Sequence, residues 1–198
     1  MKNLIAKKRI LLFLINVFCL FSCVSNENKK VVDLEENNKT LRILIVNEKG
    51  HPLSGINVDV HDRQTNYTIS AISDSSGVVT IQNVQFGNFI VSSKNVGYTS
   101  LDKVKVTFTN EQEVFICSIS HADSVFEMVS SLYDEGKYQE GLNLIDKLYL
   151  TKSSPFFVTA CFHRTVGYTN LGEEKKALDE LNKISEVDPL ILSEVLGE

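Results

Sequence analysis

Val46-Asn47-Glu48-Lys49-Gly50-His51-Pro52-Leu53-Ser54-Gly55-Ile56-Asn57-Val58 is the stretch on which the fold turns. An apolar alternation of Leu41, Ile43 and Ile45 runs into it, and a second, Ile56, Val58 and Val60, runs out of it. Asn57, Asp59 and His61 point the other way in the second run. A period of two places one side-chain row in a core and the other in water, the signature of a half-buried strand. Between the runs, Glu48-Lys49-Gly50-His51-Pro52 concentrates turn formers.

The same unit recurs downstream. Tyr67-Ile69-Ala71, Phe89-Val91, Val104-Val106-Phe108 and Val114-Ile116 each alternate, and Asp74-Ser75-Ser76-Gly77, Phe86-Gly87-Asn88 and Gly97-Tyr98 separate them. Six or seven short strands at this spacing predict a β-sandwich over residues 40–120. Gly55, Gly77 and Gly87 are expected at tight corners, and Asp74 to cap its turn through its own side chain.

The order of these turns carries a resemblance. The opening stretch from Val46 to Val58, then Ser73-Asp74 with Gly77, then Val84-Gln85-Phe86-Gly87-Asn88-Phe89, then Gly97-Tyr98, together resemble a carboxypeptidase regulatory-like domain. The resemblance implies a transthyretin-like sandwich of about seven strands. It implies no catalysis, because the zinc peptidase part of that family has no counterpart in this chain.

From Ala122 onward the apolar period becomes helical. Aligning Gly136 with Gly172 superposes two copies 36 residues apart. The second copy has Tyr168, Gly172, Ala177, Leu181, Ile184 and Pro189; the first has Leu132, Gly136, Gly141, Ile145 and Leu148. These spacings resemble tetratricopeptide repeats, with an insertion near Thr151–Ser154. Ser124-x-x-Glu127 reads as a capping box on the first helix. The fold class is therefore multidomain α+β: a transthyretin-like β-sandwich followed by an all-α helical-repeat domain over residues 121–198.

The N-terminus reads as a targeting segment. Lys2, Lys7, Lys8 and Arg9 precede an apolar run from Ile10 to Phe21, which ends at Leu20-Phe21-Ser22-Cys23. This resembles the lipobox of bacterial lipoproteins. The resemblance implies a signal peptide over residues 1–22 and acylation of Cys23, with Val24 pointing to the outer membrane. Residues 23–39, rich in charge and poor in apolar groups, read as a flexible tether.

Removal of the four positive signal residues leaves 16 Lys and Arg against 25 Asp and Glu, a formal charge of −9. Such an acidic chain has no electrostatic case for nucleic acid. Cys117 and Cys161 lie in apolar stretches of different segments and read as buried thiols. His51, His61, His121 and His163 are scattered, with no metal-ligand or catalytic spacing. No catalytic residue, metal or cofactor is assigned.

The expected function is that of a lipid-anchored, non-catalytic envelope protein, an interaction or accessory module of a membrane complex. In the repeat family the first helix of each pair lines a groove. By position this puts Phe126 and Tyr133 from the first copy there, with Phe162 and Val166 from the second, as partner-binding candidates. The alternative for these four is packing on the sandwich or on the tail Leu190–Leu196. A second functional class is glycan or cell-wall binding by the sandwich, for which Tyr67 and Tyr98 are the aromatic candidates.

Overall fold

Strand β1, Lys39–Val46, opens the part of the chain that the computed structural model describes, residues 39–190. The candidate signal, Cys23, the tether up to residue 38 and the tail beyond Leu190 lie outside the described residues. Six more strands follow: β2 Asn57–Asp62, β3 Thr68–Ile72, β4 Val78–Val84, β5 Gly87–Ser93, β6 Leu101–Phe108 and β7 Val114–Ser118. They form two sheets, ordered β4-β1-β7 and β3-β2-β5-β6. All pairings are antiparallel except β1 with β7.

The alternations explain the core. Leu41, Ile43 and Ile45 of β1 are wholly buried against Val58, Val60, Val79, Val91 and Phe108. Burial of side chains of this size contributes about 1.5–3 kcal/mol each. Asp74 caps its turn as expected, its Oδ1 accepting from the Ser76 and Val78 amides at 2.9 Å and from the Ser76 hydroxyl at 2.7 Å. A buried hydroxyl closes the neighbouring loop: Ser73 Oγ donates to the Leu53 carbonyl at 2.7 Å and accepts from the Ile56 amide at 2.9 Å.

Three details of the strand reading are corrected. Strand β4 was not among the alternations read, although Val79 and Ile81 are buried within it. Its alternation spans only Val79 and Ile81, because two exposed residues, Gln82 and the left-handed Asn83, separate Ile81 from the buried Val84. On β7 the faces are reversed: Val114 and Ile116 are 47% and 68% exposed, while Phe115 and Cys117 turn towards the core. On β6, Val104 is exposed but Leu101, Val106 and Phe108 are buried. The register between β5 and β6 shifts there, and Lys103 adopts φ +53°. The bulge between Val104 and Leu101 brings Leu101 into the inward row, opposite Ser93, while Val104, opposite Val91, keeps the phase of Val106 and lies where that row meets solvent.

Four helices follow among the described residues: α1 Ala122–Asp134, α2 Tyr138–Ile145, α3 Phe157–Asn170 and α4 Glu174–Val187. They form two hairpins whose turns repeat bond for bond. Gly136 (φ +74°) donates its amide to the Tyr133 carbonyl, and Lys137 to that of Leu132. Thirty-six residues on, Gly172 (φ +73°) donates to Thr169, and Glu173 to Tyr168. A left-handed glycine with two such amide bonds is the usual way to terminate a helix and reverse the chain. The capping box is not formed: α1 begins at Ala122, its N-cap is His121, and Ser124 lies inside the first turn.

The hairpins are not carried on a free linker. The described residues belong to one compact unit, Asn37–Glu198. A backbone ladder joins its two parts. The Gly97 amide donates to the Tyr149 carbonyl at 3.0 Å, Tyr149 to Tyr98 at 2.8 Å, and Ser100 to Lys147 at 2.8 Å. The Ala122 amide, at the start of α1, donates to the Gly97 carbonyl at 2.8 Å.

Aromatic contacts line the same joint. The His121 ring meets Tyr98 and Phe156 edge-on, with centroids 5.0 and 4.9 Å apart. This joint accounts for the imperfect repeat. Helix α2 has 8 residues where α4 has 14, because the chain after Ile145 leaves the helix to run beside Tyr98. The insertion read from the sequence lies in this return segment.

Candidate interaction surface

Helix α1 places Val125, Phe126 and Val129 on one face, which packs with Ile145 of α2, with Leu148 and with Ala160 of α3. The Phe126 ring stacks on His163 of α3, centroids 5.1 Å apart and nearly parallel. Tyr133, one helical stripe further along, reaches α3 as well: its hydroxyl donates to the His163 carbonyl at 2.9 Å.

Two glycines make room for the Tyr133 ring. A Cβ on Gly141 of α2 would collide with the ring, and one on Gly167 of α3 would lie 2.5 Å from its hydroxyl oxygen. The small residue at position 141 was expected from the repeat spacing. Gly167 was not, since a lone glycine inside a helix leaves no periodic mark. Burial, reinforced by the nearby Tyr168, pushes the Tyr133 phenol up to about 12. It therefore remains a hydrogen-bond donor throughout the physiological range.

Of the four residues assigned to an open groove, the structure brings Phe126 and Tyr133 into the packing between hairpins. Phe126 is only 8% exposed. It cannot present its ring to a partner while it is stacked on His163. Phe162 is half-buried and Val166 is 47% exposed. These two lie one turn apart on α3. Phe162 holds on α3 the repeat position that Phe126 holds on α1. The first is covered by the next hairpin; the second is the half-buried counterpart.

His163 also carries a pH dependence. Burial lowers its pKa from the ordinary 6.5, so the ring is held neutral in the fold. The unfolded chain then binds the extra proton first as the pH falls. The corresponding stability is complete above about pH 6.5 and is lost as pH falls through the lower folded value. Thermal melts at pH 5 and pH 7.5 are expected to differ more for the native chain than for His163→Phe, which keeps a ring on Phe126. Equal differences would show that His163 does not titrate on unfolding.

Cys117 and Cys161 are free and buried. Burial raises both thiols, and burial with the neighbouring Glu180 pushes Cys161 up to about 11, so neither is a nucleophile at neutral pH. Among the described residues, no group of three or more His, Cys, Asp and Glu is placed to hold a metal ion. Asp62 beside His61 spends its carboxylate inside the β2–β3 turn, accepting from the Gln64 amide and the Thr65 hydroxyl at 2.8 Å each. Among the described residues, no helix is long and apolar enough to cross a membrane.

The two aromatic candidates on the sandwich separate. Tyr98 is half-buried in the joint, against the sandwich core and the His121 ring. Tyr67, in contrast, is 67% exposed beside β3.

No protein-family model matches the sequence, and no curated protein matches it. Solved structures do. The Bacillus anthracis TIE protein is similar over 42% of this chain at 22% identity and a TM-score of 0.36. GBS52, the minor pilin of Streptococcus agalactiae, is similar over 42% at 18% identity and a TM-score of 0.35. The pilus 2b backbone protein of group B streptococcus is similar over 44% at 14% identity and a TM-score of 0.37. The chain spans 16%, 44% and 43% of those three chains respectively.

Proposed function

We propose that this protein is a non-catalytic, lipid-anchored envelope protein that holds a helix of a partner protein against α3. The anchor is Cys23, which follows the basic and apolar segments that lipoproteins share. A mature lipoprotein carries more than one acyl chain, which makes such anchoring stable. The carrying observation for the partner face is the repeat itself. The position of Phe126 on α1 is covered by a helix, and the equivalent Phe162 is half-buried on α3 beside the exposed Val166. The occupant that fits is therefore a helix with an apolar stripe, making the contact that α3 makes on α1. The tetratricopeptide-like character of the hairpins belongs to this proposal, as does an outer-membrane location.

The backbone joint to the sandwich supports an accessory role, because it presents α3 from a rigid base. The test uses the full chain in its native envelope with a photo-crosslinking residue at Val166. A discrete crosslinked protein is expected, and Phe162→Asp is expected to reduce it at least tenfold while the thermal melt still shows a folded chain. Cys23→Ala is expected to release the protein from the membrane fraction. Crosslinking only to residues 191–198 of the same chain would replace the partner with the tail. Retention of Cys23→Ala in the membrane would remove the anchor.

A further inference from the structure

The sandwich opens at one end into a cleft of about 190 Å³, between β3 and β4. Its floor is apolar, formed by Ile69, Ile81 and Phe89, and its rim is polar, formed by Tyr67, Asn83 and Gln85. We propose that this cleft binds a single neutral sugar ring of a polysaccharide, stacked on Tyr67.

Three observations carry the assignment. The first is the exposed aromatic: Tyr67 stands 67% exposed at the mouth of a cleft with an apolar floor. An aromatic face attracts the C–H face of a sugar, while its hydroxyl remains available to the sugar's own hydroxyls. The second is the chemistry of the rim. Asn83 and Gln85 carry uncharged amides that both donate and accept, and neither side chain has a hydrogen-bond partner among the described residues. The one ionised group at the cleft, Asp62, is occupied by Gln64 and Thr65 within its own turn. A rim of neutral donors and acceptors suits a hydroxylated, uncharged ligand better than an anion or a cation.

The third observation is preorganisation. The β2–β3 turn is closed by the Asp62 amide donating to the Tyr67 carbonyl at 2.8 Å, and it is tied to β5 by Arg63 donating to Asn88 at 3.1 Å. On the opposite wall, Asn83 is held at φ +58° within β4. The β2–β3 wall is thus set before any ligand arrives, which lowers the entropy lost on binding. The volume is below the roughly 300–1,000 Å³ of sites that enclose a drug-sized ligand. One ring can enter while the rest of a polysaccharide runs outside.

The proposal uses a different surface from the helical face and stands or falls separately from it. The test is affinity electrophoresis of the full chain in mild detergent through gels containing starch, xylan, galactomannan or, as an anionic probe, polygalacturonate. Retardation by at least one neutral polysaccharide is expected. Tyr67→Ala is expected to weaken it at least tenfold, and Gln85→Ala three- to tenfold. Tyr149→Ala, an exposed tyrosine outside the cleft, should leave it unchanged. Melting curves establish that each variant is folded. Absence of retardation by every neutral polysaccharide, retardation by polygalacturonate alone, or equal retardation of folded Tyr67→Ala would each overturn the assignment.

Discussion

Gly77→Ala is expected to destabilise the protein by about 2–5 kcal/mol, the sum of left-handed backbone strain and overpacking. Gly77 sits at φ +78°, and a Cβ there would lie 2.8 Å from the Ile45 carbonyl oxygen and 2.9 Å from the Pro52 Cβ. The carbonyl is fixed, because it also accepts the Leu53 amide at 2.9 Å, and the Ile45 amide itself donates to the Gly77 carbonyl at 2.8 Å. Neither neighbour can swing aside as the end of a long side chain could. For a chain of this size the melting temperature should fall by roughly 5–15 °C. Gly50→Ala separates the two causes. Gly50 has φ +80° but nothing within 4 Å of a built Cβ, so only the backbone strain applies. Equal losses for the two variants would disprove the steric part.

Gly167→Ala is expected to destabilise by up to about 2 kcal/mol, an overpacking cost of about 1–3 kcal/mol offset by the roughly 1 kcal/mol by which alanine favours a helix interior over glycine. The new methyl would lie 2.5 Å from the Tyr133 hydroxyl oxygen and 2.9 Å from Leu142 Cδ2. The tyrosine ring cannot retreat, since Gly141 is already against its other edge and its hydroxyl is bonded to His163. In a Tyr133→Phe background the closest atom is gone, so the same substitution should cost about 1 kcal/mol less. Chemical denaturation of the four chains of this cycle reads the coupling directly. A stabilised Gly167→Ala would show that helix propensity wins and that the hairpins are not tightly packed at this point.

These two sites differ in how far they could be read from residues alone. Gly77 was legible: it follows Asp74-Ser75-Ser76, a turn signal between alternating runs, and the structure gives it the left-handed conformation that such a turn requires. Gly167 was not, because what it makes room for is a tyrosine 34 positions earlier in the chain. The faces of β7 were misread for a related reason. Val114, Phe115, Ile116 and Cys117 are all apolar, so the run has no phase, and only pairing with β1 decides that Phe115 and Cys117 turn inward. On β6 the bulge at Lys103 breaks an otherwise regular count.

The candidate surface divides in the same way. The repeat spacing placed Phe126 and Phe162 at equivalent positions, and the identical glycine turns at Gly136 and Gly172 agree with that register. It could not say that one ring is covered and the other half-open, because that depends on where the array of hairpins stops.

By itself the sequence determined the two periods, the turns between them and the 36-residue repeat, since each depends on neighbours a few residues apart. Only the tertiary structure decided that the sandwich and the helices form one body. The hydrogen-bond ladder of their joint, from Gly97 to Ser100 against Lys147 to Tyr149, is made by main-chain amides and carbonyls, which every residue but proline carries and which therefore leave no signature in the order of side chains.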